Sequence, residues 1–488
     1  MKIIQQTCTN ENLWHEIEGE ITPLLNLPKK DLQRFKNDYI NAINYYTEQG
    51  VPESEIKRRL SSDKLGNFYA DIESFWFPLD YAAKIYPATM KRDQMTMFRL
   101  SATLKKDIVP EILQMALNFT IKRFPSFSGY LRHGVFWHYI EGFNRRFIIE
   151  EETGIPCQTM KIARTGAQLL HIFYFKKRIS VEFFHILTDG HGGMIFLKTL
   201  VAEYLRLLGE DILCDNGVWD INETPDPAET ANDYHEIKDC NNTGGFMNKM
   251  AAQMNGKVSK VTPCRIISFD MDSAAVKEAA RRYGVTVTAY ILGVQLLAGK
   301  QACAGKKGIF SVQVPIDVRE VYGSKTLLNF DLYCSIGLDL EDITTMEEIL
   351  PKISQQLKDG TNRGRLDAMM NSTMNLVRFF KFIPTFIVSP IASAFYAYLS
   401  DMPFTSSLSN LGVIKVPEQM KAHVEKFDFV LGGNSICRSS CALNTFEGHT
   451  VFNISKMTPV DTFEEAFARQ LDADSISYKI TGSMLYED

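Results

Sequence analysis

A β-hairpin leading directly into a helix is the clearest structural signal in this 488-residue chain. Residues 169–185 read LLHIFYFKKRISVEFFH, two runs rich in β-branched and aromatic residues joined by a basic cluster. This pattern predicts two antiparallel strands, the second of which ends at His185. Residues 194–209 then place apolar side chains at helical spacing, which predicts a helix with one buried face. Alternating strand and helix signals of this kind favour an α/β or α+β fold.

A His-x-x-x-Asp-Gly sequence, at His185, Asp189 and Gly190, lies between that strand and that helix. A neutral imidazole at a strand end can take a proton from a hydroxyl or an amine, provided its pKa stays near neutrality. The carboxylate of Asp189 can hold the loop through an ion pair or through backbone N–H groups. A chain of this composition contains such a sequence by chance in roughly one case in twenty-five. An ordinary strand-end histidine followed by an Asp-Gly turn is therefore the alternative interpretation.

Three later segments place polar residues at the ends of predicted elements. Residues 283–294 (YGVTVTAYILGV) contain Thr288, a residue type suited to the N-cap of a helix, and we expect it to be the N-cap here. Residues 308–319 (GIFSVQVPIDVR) end in Arg319, and Asn329 follows further along the chain. Residues 407–412 (SLSNLG) carry Ser409 and Asn410 on a late strand. The alternatives are a surface arginine that begins a loop for Arg319, a turn residue for Asn329, and ordinary strand-end polar residues for Ser409 and Asn410.

The order of these segments resembles the coenzyme A-dependent acyltransferase superfamily. That superfamily includes chloramphenicol acetyltransferase, alcohol acetyltransferases, plant BAHD acyltransferases and peptide-synthetase condensation domains. Its signature, His-His-x-x-x-Asp-Gly, aligns with Phe184, His185, Asp189 and Gly190, so Phe184 replaces the first histidine. Because some branches keep only His-x-x-x-Asp, this departure argues against a peptide-synthetase condensation domain more than against acyl transfer. The resemblance covers about residues 75–485. Within it, 283–294 resembles the superfamily's entry to a long apolar helix, 308–330 resembles its strand, arginine and asparagine segment, and 407–412 resembles its late crossover strand. Bacterial alcohol acetyltransferase-like proteins are the most similar branch.

The resemblance implies two similar, chloramphenicol acetyltransferase-like halves, each a mixed-sheet α/β sandwich, with the active-site tunnel between them. The N-terminal half would span 71–215 and carry the His185 motif, and the C-terminal half would span 261–488. Residues 216–260 are polar and rich in Asn, Gly and acidic residues, which indicates a linker or crossover. Residues 1–70 contain charged helical segments at 29–50 and 52–63 and are interpreted as an N-terminal helical extension.

The same resemblance implies transfer of an acyl group, acetyl in the simplest case, from a coenzyme A or carrier-protein thioester to an alcohol or amine. His185 would be the general base, and Arg319 would pair with Asp189. Acyl-CoA would be a co-substrate, with no permanently bound cofactor, and an acyl carrier protein would be an alternative partner. The expected site residues are His185, Asp189 and Gly190, supported by Arg319 and Asn329, with Ser409 and Asn410 as candidate donors to the oxyanion or acceptor.

Composition argues against several other functional classes. The chain is 45% hydrophobic and has a net charge of −5, so no basic surplus indicates a nucleic-acid partner. Its nine cysteines are scattered, without the spaced Cys and His pairs of a zinc site, which predicts reduced thiols, no bound metal and a cytoplasmic protein. The first twenty residues lack the apolar core of a secretory signal.

An uncharged stretch at residues 382–399 barely reaches the length of a membrane span. Pro384 and Pro390 interrupt it, which favours a buried helix or a tunnel lining. Peripheral membrane contact is the alternative.

Two other functions stay open from the sequence. One is a non-catalytic, condensation-like protein whose tunnel binds a hydrophobic ligand. The other is a metal-dependent hydrolase with His185, Asp189 and His191 as ligands, although three ligands within one turn and no distant partner argue against it.

Overall fold

The computed structural model describes residues 2–70, 76–84, 96–142, 145–158, 168–235, 250–380, 402–433 and 436–483, and the single residues 237, 240, 244 and 383. The described strands, in chain order, are β1 (Trp76–Pro78), β2 (Met97–Leu104), β3 (Gly129–His133), β4 (His138–Gly142), β5 (Ile149–Glu151), β6 (Leu170–Phe175), β7 (Arg178–Phe184), β8 (Arg265–Asp272), β9 (Ile309–Asp317), β10 (Asp331–Asp339), β11 (Ser406–Val413), β12 (Val424–Leu431), β13 (Ser439–Phe446), β14 (His449–Lys456) and β15 (Tyr478–Gly482). The described α-helices are α1 (Lys2–Ile21), α2 (Lys29–Glu48), α3 (Glu53–Arg59), α4 (Pro110–Thr120), α5 (Gly190–Leu208), α6 (Ser273–Arg282), α7 (Val287–Ala302), α8 (Arg319–Tyr322), α9 (Met346–Gly360), α10 (Arg363–Phe380), α11 (Glu418–Lys421) and α12 (Thr462–Ala473).

The first half is built on a five-stranded sheet in the order β12-β2-β7-β6-β5. The predicted hairpin is confirmed as β6 and β7, antiparallel, with Leu170 opposite Phe183 and Phe175 opposite Arg178. Lys176 occupies the turn with a φ of +50°, a left-handed conformation that suits a tight hairpin turn. The predicted helix follows as α5, which packs against α4, β2 and β7. Helix α5 thus packs on the sheet that contains β7, the strand directly before His185.

The N-terminal helices share the apolar core of this half. The predicted helical segments at 29–50 and 52–63 are confirmed by α2 and α3, the latter followed by a short 3₁₀ turn. The apolar face of α2, including Phe35, Tyr39 and Tyr46, is buried in that core. The Tyr46 hydroxyl donates to the carbonyl of Leu207 at 2.8 Å, which ties α2 to the end of α5.

The second half is built on a seven-stranded mixed sheet in the order β10-β9-β11-β13-β14-β8-β15. Apolar residues of α6, α7, α9 and α12 pack on this sheet and form a second core with it. A small sheet, β1-β4-β3, lies outside both larger sheets. The α/β prediction is confirmed by these mixed sheets and their helices.

The N-cap expected at Thr288 is wrong. Helix α7 begins one residue earlier, at Val287, and Thr286 caps it by accepting from the Ala289 backbone N–H at 3.2 Å. Both threonines have a suitable side chain, but only Thr286 has the extended backbone of an N-cap. Thr288 is instead bound by Asn410, whose Nδ2 donates to its Oγ1 at 3.0 Å.

The crossover between the halves is made by β12, and its expected place at 407–412 is wrong. Strand β12 pairs antiparallel with β2, with Phe429 opposite Leu100. Its side chains Phe427 and Phe429 are buried in the first core. Residues 407–412 belong to β11, which stays between β9 and β13 because Leu408 is buried in the second core.

Polar side chains from the second sheet bind the outer edge of β12. Asn444 Nδ2 donates to the Phe427 carbonyl and Asn453 Nδ2 donates to the Phe429 carbonyl, each at 2.8 Å. Ser455 Oγ donates to the carbonyl of Leu431 at 2.5 Å. An unpaired buried carbonyl costs free energy. These contacts give hydrogen-bond donors to three carbonyl oxygens on the edge of β12 that does not pair with β2.

The polar segment 216–260 contributes little regular structure where it is described, namely a 3₁₀ turn at 227–230 and a bridge from Ala251 to Ile309. Glu229 in that turn binds the Arg123 guanidinium through both oxygens, at 2.6 and 2.8 Å. Its carbonyl accepts from the Leu327 N–H at 2.7 Å. Glu229 therefore connects the segment to both halves.

The uncharged stretch 382–399 lies outside the described residues, apart from residue 383. Among the helices that the structure does describe, none is both long enough and apolar enough to cross a membrane.

Candidate active site

His185 lies immediately after β7, at the end of the central strand of the first sheet. Its backbone N–H donates to the carbonyl of Thr96 at 2.9 Å, which continues the pairing of β7 with β2. The Phe98 ring packs edge-on against the imidazole, with ring centroids 5.1 Å apart. The preceding Phe183 and Phe184 are fully buried. Strand pairing and this aromatic contact fix the position of the imidazole.

The imidazole of His185 contacts the second half through Asn329. Its Nδ1 lies 2.8 Å from Asn329 Oδ1. The other end of the same amide, Asn329 Nδ2, donates to the buried Asp80 carboxylate at 3.1 Å. Because Asn329 Oδ1 can only accept, the contact requires a proton on His185 Nδ1. The neutral imidazole then carries its lone pair on Nε2.

Asp189 holds the loop after His185 and caps α5. Its Oδ1 accepts from the backbone N–H groups of His191 and Gly192, at 3.1 and 3.2 Å. Its Oδ2 accepts from Arg319 Nη2 at 2.7 Å and from the Phe330 N–H at 3.0 Å. The carboxylate therefore joins the loop to the second half through four donors.

Arg319 and Asp189 form the predicted ion pair, with side-chain exposures of 5% and 7%. Arg319 also donates to the carbonyl oxygens of Thr326 and Leu328, at 2.7 and 2.6 Å. Its Nη1 lies 3.0 Å from Asp317 Oδ1. These contacts position the segment that precedes β10 and carries Asn329.

Gly190 lies where β11 and β12 approach the His185 loop. A Cβ at this position would lie 2.8 Å from Leu411 Cδ2 and 3.8 Å from Phe429 Cζ. The absence of a side chain thus allows β11 and β12 to pack closely beside the His185 loop.

Ser409 and Asn410 lie on opposite faces of β11. Ser409 pairs with Ala442, which is buried in the first core, so its side chain is on the face toward the first half. Asn410 points to the other face, where it donates to Thr288 Oγ1 and accepts from the Gly412 N–H at 2.8 Å. Of the two candidate donors, Ser409 is on the face toward the first half, and Asn410 is bound to α7.

Two acidic residues near His185 were not identified from the sequence. Asp80 follows β1, and burial raises its pKa to about 6. Asp331 begins β10, and burial together with the charge of Asp189 raises its pKa to about 7. Asp331 is two residues after Asn329, and in an extended segment such residues lie on the same side. The sequence could therefore have indicated Asp331 as a neighbour of Asn329, whereas no spacing links Asp80 to the His185 motif.

His191 pairs with Asp317 at 3.2 Å. Burial would raise the pKa of Asp317, but the hydrogen bond from His191 and the charge of Arg319 lower it to about 2. Within the described ranges, no three His, Cys, Asp or Glu side chains are grouped so that they would hold a metal ion.

Solved acyltransferases superpose on most of this chain. The trichothecene 15-O-acetyltransferase TRI3 of Fusarium sporotrichioides matches 82% of this chain and 95% of its own length, with a TM-score of 0.53 at 13% identity. The chain has the two-lobed fold of coenzyme A-dependent acyltransferases and condensation domains. The resemblance inferred from the segment order is thereby confirmed at the level of fold.

Further solved structures with this fold include a protein in complex with coenzyme A and a condensation domain. TRI101 of F. sporotrichioides, solved with coenzyme A and T-2, covers 82% of this chain and 99% of its own length, with a TM-score of 0.55 at 11% identity. The condensation domain of the monacolin K polyketide synthase MokA covers 82% and 96%, with a TM-score of 0.52 at 12% identity. No protein-family model matches the sequence, and no curated protein sequence is significantly similar to it.

Proposed function

We propose that this protein is an acyltransferase that moves an acyl group, acetyl in the simplest case, from a thioester to an alcohol or amine, with His185 as general base. The observation that carries the proposal is the contact between His185 Nδ1 and Asn329 Oδ1. It selects the tautomer with the lone pair on Nε2, which is the form that accepts a proton from a substrate. The fold, shared with trichothecene acetyltransferases, supports acyl transfer as the reaction class.

In the proposed reaction, His185 Nε2 removes the proton of the acceptor O–H or N–H. The acceptor atom attacks the thioester carbonyl carbon and forms a tetrahedral intermediate with a negatively charged oxygen. When the intermediate collapses, the C–S bond breaks and the imidazolium returns the proton to the leaving thiolate. The products are the acylated acceptor and a free thiol, without a covalent acyl-enzyme.

Other residues hold this arrangement in place. Asp189 and Arg319 fix the loop that carries His185 against the segment that carries Asn329. Ser409 is the candidate donor to the oxyanion, since its hydroxyl is on the face of β11 toward the first half. Removing one such donor costs about 3–4 kcal/mol of barrier in other enzymes.

Acyl-CoA is the proposed donor and a small molecule the proposed acceptor, with an acyl carrier protein as the alternative source of the thioester. The structural neighbour TRI101 was solved with coenzyme A, which supports the first choice. The proposed tunnel lies between the halves, so that donor and acceptor reach His185 from opposite sides while water is restricted.

The direct test is thiol release by the purified protein from a panel of acyl-CoA donors and small alcohols and amines. Acceptor-dependent thiol release that is unchanged after dialysis against EDTA would support the proposal. Ligand binding without thiol release across the panel would favour a non-catalytic relative. Loss of activity in EDTA that zinc restores would favour a metal-dependent hydrolase.

A further inference from the structure

Asp80 is a buried carboxylate that accepts hydrogen bonds from its partners among the described residues. Its side chain is 2% exposed. Oδ1 accepts from the Ala83 N–H at 2.6 Å. Oδ2 accepts from both the backbone N–H and the side-chain Nδ2 of Asn329, at 3.3 and 3.1 Å. Asp80 takes no direct part in the proposed proton transfer.

The orientation of the Asn329 amide determines which tautomer His185 adopts. An amide group has a donor end and an acceptor end of nearly equal size, so it fits its site in either orientation. With Oδ1 toward His185, Nδ1 of the imidazole must carry the proton. With Nδ2 toward His185, Nδ1 must accept, and the proton moves to Nε2, where it blocks the base.

An ionised carboxylate only accepts hydrogen bonds. Asp80 therefore attracts Asn329 Nδ2 and disfavours the flipped amide, in which two oxygen atoms would face each other. We propose that Asp80 is a positioning residue that keeps His185 in its base-competent tautomer by fixing the orientation of the Asn329 amide. This inference rests on the proposed role of His185 as base.

The chain Asp80–Asn329–His185 has a second consequence for the pH profile. Burial raises the pKa of Asp80 to about 6, so the carboxylate is ionised at neutral pH and becomes protonated just below it. The charged or titratable groups that interact with it from neighbouring elements are Asp189, Asp331 and Tyr234. Protonation of Asp80 should therefore add a second ionisation to the acid limb of kcat/KM.

Asp80→Asn is the primary test, because the new side chain keeps the shape of the old one and loses the charge. Both amides can then flip, so a mixture of His185 tautomers is expected. We expect kcat to fall in proportion to the fraction of His185 that loses the base-competent tautomer, about twofold for an equal mixture and more if the flipped amide predominates, with KM little changed because only proton transfer is affected. The acid limb should also change from two ionisations to one.

A matched control is available in the first half. Asp38 is also buried and also accepts from an asparagine, with Asn118 Nδ2 at 3.0 Å from its Oδ2. Asp38→Asn makes the same chemical change at a buried carboxylate whose partners are Asn118 and Arg146 rather than Asn329, so it controls for the loss of a buried charge, including one in an ion pair. It should leave kcat, the pH profile and the His185 tautomer unchanged.

The tautomer itself is read from the imidazole ¹⁵N chemical shifts of histidine-labelled protein without substrate. The chain has nine histidines, and a spectrum of His185→Gln identifies the signal of His185. The wild-type protein should show protonated Nδ1, and Asp80→Asn should show a mixture. An unchanged tautomer in folded Asp80→Asn would overturn the inference, whether or not the protein turns over substrate.

Exchanging the two residues gives an independent test if Asp80→Asn alone does not fold. In the double variant Asp80→Asn/Asn329→Asp, the carboxylate at position 329 can only accept, so it should restore the Nδ1-protonated tautomer. Failure of this double variant to restore it would contradict the inference. A tautomer shift in Asp80→Asn without turnover in any variant would instead uphold the positioning role and contradict the proposed acyl transfer.

Discussion

Asn329 Oδ1 lies 2.8 Å from His185 Nδ1, although the two residues are 144 positions apart in the sequence. His185 belongs to the sheet of the first half, and Asn329 precedes an edge strand of the second. The proposed base is therefore complete only when the halves are packed together. Contacts that stabilise the packing of the two halves therefore also maintain the contact between Asn329 and the proposed base.

The buried pair Asp189–Arg319 should show strong coupling in a double-mutant cycle. Asp189→Asn and Arg319→Ala should each lower stability and rate, because removing one partner of a buried ion pair typically costs about 3–5 kcal/mol. The double variant should lose less than the sum of the single variants. Urea unfolding of the four proteins measures the coupling, and strict additivity would show that the pair does not act as a unit.

Gly192→Ala should destabilise the protein more than Gly190→Ala. A Cβ at Gly192 would lie 2.5 Å from the Leu327 carbonyl oxygen, which is backbone, and would also meet Thr188. A Cβ at Gly190 meets the flexible end of Leu411. Overpacking typically costs about 1–3 kcal/mol, and we expect Gly192→Ala at the upper end in thermal unfolding. A larger loss for Gly190→Ala would contradict this packing.

Asn453→Ala should weaken the junction between the halves. Asn453 Nδ2 donates to the Phe429 carbonyl on β12, and Ser268 donates to Asn453 Oδ1. Leaving such buried groups unpaired costs about 1–3 kcal/mol each. Chemical unfolding measures this loss, with Asn37→Ala on the exposed face of α2 as the control that changes little. Equal losses of unfolding free energy in the two variants would contradict a stabilising hydrogen bond from Asn453 to β12.

Lys198 should make stability depend on pH in the alkaline range. Its Nζ donates to the carbonyl oxygens of Asn216 and Lys415, both neutral. Burial lowers its pKa from 10.5 to about 8, so between these values the unfolded chain binds more protons than the folded protein. Stability relative to Lys198→Met should therefore rise as the pH increases from about 8 to about 10.4. Parallel stability curves over this range would contradict the lowered pKa.

The hairpin at 170–184 and helix α5 could be predicted from the sequence. Each is determined by the hydrophobic periodicity of a single continuous segment. The contact of Asp189 with Arg319 was predictable only through the resemblance, since no periodicity links positions that far apart. The contact itself arises from the packing of the two halves.

Three features of the structure were beyond the sequence for identifiable physical reasons. Thr286 and Thr288 have the same side chain, so composition alone could not select the N-cap. Strand β12 and strand β11 both carry apolar residues, and only tertiary packing decides which one crosses to the other sheet. Asp80 reaches Asn329 through a turn that has no recognisable motif.

The most direct test of the proposed chemistry is the rate of acceptor-dependent thiol release by folded His185→Ala. His171→Ala, in the adjacent strand β6, is the matched control and should retain activity. Because the proposed role of His185 is proton transfer, we expect a loss on the order of 10² to 10⁴ in rate, with a free energy of unfolding close to that of the wild type. Activity within a few-fold of wild type in a folded His185→Ala protein would contradict it.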